Sequence, residues 1–135
     1  RQALEEQIKR LRIEDHVHLI GYQSDIVRFW HEVDVAVICS DSEGLPMALL
    51  EACASGVACI ATRVGGIPEV LTEGSGILVD AGSRDGLAEA MEEMLDPKVR
   101  FEYGMKAREV AERFPMDKIA AQYDALYSRI VKGKY

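Results

Sequence analysis

A chain of 135 residues, 48% hydrophobic and 29% charged, is long enough for one domain with a real core and too short for two full α/β domains. Its formal net charge of -7 argues against a polyanion-binding surface, so any phosphate must be held by local geometry rather than by a basic face. No apolar run approaches the ~20 residues that span a bilayer, and Cys39, Cys53 and Cys59, odd in number and set in apolar runs, predict buried free thiols in a reducing compartment, hence a cytoplasmic setting.

Leu4, Ile8 and Leu11 recur at helical spacing and predict an amphipathic helix over 2–12. VHLIGY (17–22) reads as a strand that ends at Gly21, and residues 26–33 as a short helix capped by Asp25 or Ser24, with Trp30 and His31 packed. DVAVICS (34–40) has the continuous β-branched character of a strand buried on both faces. SEGLP is a loop, and MALLEACASG (47–56) a helix stopped by Gly56. VACIATRV (57–64) is a second buried-type strand, broken by Gly65-Gly66; one or two helical turns follow at 67–71, with Glu69 as a capping acid. GILVD (76–80) is the last short strand. Three helices complete the chain. Leu87, Ala90, Met91, Met94 and Leu95 stripe the first as ordinary core. Asp96-Pro97 closes it and opens the second, since proline suits a first helical position. Tyr103, Ala107, Val110, Ala111 and Phe114 stripe the second, which Pro115 ends. Asp117 caps the third, whose stripe is Ile119, Tyr123, Leu126, Tyr127 and Ile130, and Lys132 and Lys134 place positive charge at its C-terminal end.

Strands alternating with helices imply an α/β, Rossmann-like, mostly parallel sheet covered on both faces. Such sheets bind ligands beyond the carboxyl ends of their strands. SEGLP, RVGG and GYQSD stand at three such ends and predict one rim. The helix after Pro46 opens with backbone N–H groups that have no intrahelical partner, so Met47 and Ala48 can cradle a phosphate without a basic side chain, and Gly44 allows close approach. An ordinary strand-to-helix turn has the same features. Glu43 and Glu51 stand eight residues apart, an offset of ~12 Å if all were helical. That is wider than the ~5–9 Å of a glycosidase pair. They read instead as two acceptors for one long, hydroxyl-rich ligand: ribose, diphosphate, hexose. A capping role for Glu43 and a solvent-facing place for Glu51 stay open on the residues alone. Arg63 is either a rim phosphate ligand or the partner of a nearby acid. His16 and His18 share a face, but no third ligand is spaced to complete a metal site.

At these residues the chain resembles the C-terminal domain of a GT-B glycosyltransferase of the large retaining family 4. The likeness is carried by Glu43-GLPMALL-Glu51, by ACASGVACIATRVGGIPEVL at 52–71, by GILVD and by VHLIGY, and covers most of residues 1–114. It implies a UDP- or GDP-linked sugar donor and retaining transfer of a hexose to a glycan or lipid-linked acceptor. By position it gives Glu43 the catalytic place against the donor sugar and Glu51 the ribose hydroxyls. Backbone N–H groups of Gly44, Leu45, Met47 and Ala48 are expected to hold sugar and diphosphate. Gln23 backbone atoms are expected at the base edge, with Gly65 and Gly66 forming the adjoining wall. No cofactor and no metal is expected, as a rule of the family; backbone donors and the helix dipole stabilise the diphosphate instead. Nucleic acid is not an expected partner.

The chain departs from the family at Ala58, where proline is usual, and at Ala52-Cys53, where alanine-methionine is frequent. The family's basic Gly-Arg…Lys segment and its acceptor-binding N-terminal domain have no counterpart here. The expectation is one nucleotide-sugar-binding domain over 1–135, an excerpt of a longer protein, inactive alone, with membrane association a property of the whole. In the strand order 3-2-1-4-5-6, 17–22 maps to strand 3 and the later strands to 4, 5 and 6. Residues upstream, or another copy by swapping, must then fill the gap between strands 3 and 4. The rival reading is a non-catalytic Rossmann-like module kept for packing or assembly.

Overall fold

Every residue of Ala58–Thr62 is buried, and this strand, β2, is the centre of a parallel three-stranded sheet. Val35–Ile38 (β1) and Ile77–Val79 (β3) flank it, with Val37 opposite Ile60 and Ala61 opposite Leu78. The computed structural model describes residues 1–72 and 74–133, so Lys134 lies outside the described residues. The helices are α1 (Gln2–Leu11), α2 (Ile26–His31), α3 (Met47–Ala54), α4 (Ile67–Val70), α5 (Arg84–Glu93), α6 (Pro97–Ala111) and α7 (Met116–Val131).

Two helical layers explain the apolar run Ala58 to Ala61 of β2. On one face Cys59 and Ala61 join Trp30, Leu49, Cys53, Ile67 and Val70. On the other, Ala58 and Ile60 join Val79, Ala90 and Met94. Each layer removes one alternate set of side chains from water, about 1.5–3 kcal/mol for each large aliphatic group. Helix α6 lies close enough to the sheet that a Cβ at Gly104 would collide with the Gly56 carbonyl, so no larger residue fits there. The caps are local: Asp25 accepts the N–H of Arg28 at 3.1 Å, Ser83 that of Gly86 at 3.2 Å and Asp96 that of Lys98 at 2.8 Å. Among the described residues no helix is long and apolar enough to cross a membrane.

Several expectations need correction. Residues 17–22 form no strand and do not pair with β1. β-propensity describes a chain that fits a pleated surface, but a strand exists only where a neighbour supplies the ladder. Val17 instead donates its N–H to the Ile13 carbonyl, while Ile20 and Tyr22 are exposed. Among the described residues the outer edge of β1 is unpaired. On that edge Val37 is 39% exposed, so β1 is not buried on both faces. Cys39 is exposed because it follows the last residue of β1 on the rim; only Cys53 and Cys59 are buried thiols. Met91 and Leu95 are exposed while Ala90 and Met94 are buried, a narrower stripe than expected. Trp30 packs, but His31 faces solvent. Pro115, not Asp117, occupies the N-cap of α7, and Gly66, not Glu69, that of α4. The α7 stripe is also not a core face: Tyr123, Leu126, Tyr127 and Ile130 are all exposed.

Candidate functional site

At the carboxyl end of β1 the chain leaves the sheet at Ile38 and climbs to the rim through Cys39 and Ser40. Thr62, the buried last residue of β2, holds that exit. Its hydroxyl donates to the Ser40 carbonyl at 2.6 Å and lies 3.5 Å from that of Ile38. The Ser40 hydroxyl in turn donates to Oε1 of Glu43 at 2.8 Å. Glu43 is thus half-buried and held by one oxygen, leaving acceptor capacity on the other.

The loop then enters α3 at Pro46, an N-cap without a side-chain hydrogen bond. The Leu49 N–H bonds the Pro46 carbonyl at 3.1 Å. The N–H groups of Met47 and Ala48, one and two positions in, have no partner that helix geometry can supply. Both residues are exposed, as are Gly44 and Leu45. Glu51 is the fifth residue of α3, a little over one turn in, and half-buried. Among the described residues neither Glu43 nor Glu51 enters an ion pair. Both acids therefore remain free to accept hydrogen bonds from a ligand.

The loop after β2 braces this segment. Gly66 donates its N–H to the Gly44 carbonyl at 2.7 Å. Gly65 has φ +52, and a Cβ there would overlap the Glu43 carbonyl. Glycine is required at position 65 because two backbones touch there, while a Cβ at Gly66 would stand 3.1 Å from the Gly44 carbonyl, a tight contact that a small shift relieves. At Gly44 the situation reverses: a Cβ would meet nothing within 4 Å. No protein contact requires glycine there, and the space beside it is open.

The structure brings together Glu43, Gly44, Gly65 and Gly66 by direct contact, and Leu45, Met47, Ala48 and Glu51 by continuity of the chain. Gln23 stands apart. Its side chain donates to the Ile20 carbonyl at 3.2 Å and lines a hollow of about 320 Å³ with Asp25, Arg28 and Glu32. Arg63 lies 3.9 Å from Asp80, an exposed pair of little energetic weight that turns it toward the end of β3. A larger concavity, about 500 Å³, is lined by Arg63, Thr72, Gly76, Leu78, Glu93 and Tyr103 and by none of the residues of the 43–51 segment. Size alone does not make it the better site. Its acid, Glu93, already accepts the Tyr103 hydroxyl at 3.1 Å, whereas open amides and an uncommitted acid converge on the 43–51 rim. A hollow of about 250 Å³ at the carboxyl ends of the strands is lined by Cys39, Asp41, Thr62, Asp80, Ser83 and Arg84, and likewise by none of the residues of the 43–51 segment. Among the described residues no three His, Cys, Asp or Glu side chains converge as metal ligands.

Ser40 and Thr62 are the site residues that sequence reasoning passed over. The available signal was modest: each is a hydroxyl residue standing at or just past the carboxyl end of an otherwise apolar strand.

The family model described as "Glycosyl transferases group 1" matches residues 1–113. The N-acetyl-alpha-D-glucosaminyl L-malate synthase of Bacillus anthracis is 38% identical over 128 residues, 93% of this chain and 34% of the relative. The D-inositol 3-phosphate glycosyltransferase of Corynebacterium glutamicum is 36% identical, covering 82% of this chain and 27% of the relative. Among solved structures, sucrose-phosphate synthase from Thermosynechococcus elongatus superposes with a TM-score of 0.91 at 26% identity, over 98% of this chain and 34% of that one. Anabaena HepE in complex with UDP-glucose superposes with a TM-score of 0.88 at 25% identity, over 94% of this chain and 36% of that one. The chain thus spans about a third of the length of these relatives.

Proposed function

The chain belongs to the glycosyl transferases group 1 family, and on that premise we propose that the 43–51 rim binds a nucleoside-diphosphate sugar whose hexose the full-length protein passes, with retention, to an acceptor hydroxyl on a glycan or lipid-linked molecule. The observation that carries this reading is the run of open amides at the head of α3, with Glu43 on one side and Glu51 one turn beyond. The fold relative crystallised with UDP-glucose supports a UDP-linked donor.

In this reading the N–H groups of Met47 and Ala48 face the diphosphate. As the bond from the sugar to the diphosphate breaks, negative charge grows on the departing phosphate oxygen. Donors already aimed at that oxygen stabilise it without reorganisation, and the positive end of α3 adds to them. Glu51 accepts the two ribose hydroxyls, which fixes the nucleoside at the far end of the cradle. Glu43 accepts from the sugar's hydroxyls and opposes the positive charge that develops on the ring. Gly44 lets the ligand approach the backbone, and Gly65 and Gly66 keep the 43–44 loop in place. Gln23, on the loop between 17–22 and α2, supplies backbone atoms to the base edge.

The test is turnover by the full-length protein with UDP-glucose and other UDP- and GDP-sugars. Replacing Glu43 with Ala is expected to lower donor consumption by roughly a hundredfold or more with the unfolding temperature retained. NMR of the product should show the donor's anomeric configuration. Undiminished turnover in Glu43→Ala sinks the role of Glu43, and an inverted product sinks retention.

A further inference from the structure

The hydroxyl of Ser40 lies 2.8 Å from Oε1 of Glu43, three residues along a loop that is not helical, so this is not the capping bond that a Ser-x-x-Glu spacing suggests. It spends the serine's donor on the carboxylate itself. A carboxylate accepting from a fixed hydroxyl loses rotational freedom and presents its other oxygen in a set direction. The serine is fixed in its own turn: the buried Thr62 hydroxyl donates to its carbonyl at 2.6 Å. A line of two hydrogen bonds therefore runs from the centre of the sheet to the acid. Among the described residues the Glu51 side chain has no such brace; the Ser55 hydroxyl donates to the Glu51 backbone carbonyl instead, at 2.9 Å.

We propose that Ser40 is a positioning residue for Glu43, held by Thr62, and that it sets the direction of the Glu43 oxygen facing the donor sugar, given the role assigned to Glu43 above. Ser40 acts only through the carboxylate, so its effect falls on the step in which charge develops on the sugar and not on nucleotide binding.

The experiment is a double-mutant cycle in the full-length protein, read as kcat, donor KM, UDP affinity and unfolding temperature. Ser40→Ala is expected to lower kcat roughly tenfold, the weight of one hydrogen bond to a charged group, while donor KM and UDP affinity hold. Ser40→Thr, which keeps the hydroxyl, restores most of the rate. Adding Ser40→Ala to Glu43→Ala lowers the residual rate no further. Should Ser40→Ala lower the unfolding temperature, Thr62→Val tests the same line from its buried end: a smaller loss of kcat, again absent when Glu43 is Ala. A Ser40→Ala protein with full kcat, or a loss that simply adds to that of Glu43→Ala, overturns the proposal while leaving the donor site intact. Full turnover in Glu43→Ala alone overturns this proposal together with the role assigned to Glu43.

Discussion

The backbone N–H of Gly66 meets the carbonyl of Gly44 at 2.7 Å, joining the loop after β2 to the loop after β1. Two segments that sequence separates by a helix and a strand become one wall of the rim. Because Gly65 sits at φ +52 with no room for a Cβ, Gly65→Ala must push the 43–44 loop outward. The cost is about 1–3 kcal/mol from backbone strain and overlap, seen as a lower unfolding temperature, and nucleotide-sugar affinity should fall further than the fold does. Thermal unfolding beside calorimetric titration separates the two.

Gly44→Ala makes the opposite prediction. The added methyl meets no heavy atom within 4 Å, so stability should stay within about 0.5 kcal/mol. If the open space is where a donor lies against the backbone, the same methyl should weaken UDP-sugar binding. A variant that binds as well as the parent would mean that no ligand approaches there.

The three thiols divide by position. Cys39 is exposed on the rim; Cys53 and Cys59 are buried with their sulfurs 3.8 Å apart. The hydrogen bond with Cys53, together with burial, pushes the Cys59 thiol up. One thiol should therefore react rapidly with a thiol reagent in the folded protein, and all three after denaturation. Fast labelling of Cys59 under native conditions would contradict the packing of α3 on β2.

Tyr103 offers a pH test. Partial burial and its hydrogen bond to Glu93 raise the phenol above its ordinary value of 10.0. A raised acid contributes stability that is full below the unfolded value and is lost as pH rises through the folded one. Unfolding scans should show a small extra loss of stability above about pH 10, and Tyr103→Phe should remove that loss. Because the phenol is only partly buried, the effect is a slope rather than a transition.

Much of this was legible in the residues. Four consecutive apolar residues in β2, Ala58 to Ala61, announce cover on both faces, and Asp25 and Asp96 announce their helices because capping is local chemistry. What was not legible depends on neighbours. Residues 17–22 have strand-like composition without a ladder partner, and the apolar stripe of α7 has no described element packed over it. Periodicity tells which face is apolar, not what covers it. The rim shows the same division: the acids, glycines and helix start could be read in order, while the line Thr62–Ser40–Glu43 joins residues 22 and 3 positions apart and exists only once β1 and β2 are paired.

The most direct test of the donor site is calorimetric titration of the full-length protein with UDP and UDP-glucose, comparing the parent with Glu51→Ala. Losing both ribose contacts should cost roughly tenfold or more in affinity for each ligand, with the unfolding temperature unchanged. Equal affinity in the two proteins would mean that Glu51 holds no ribose and that the head of α3 is an ordinary strand-to-helix turn.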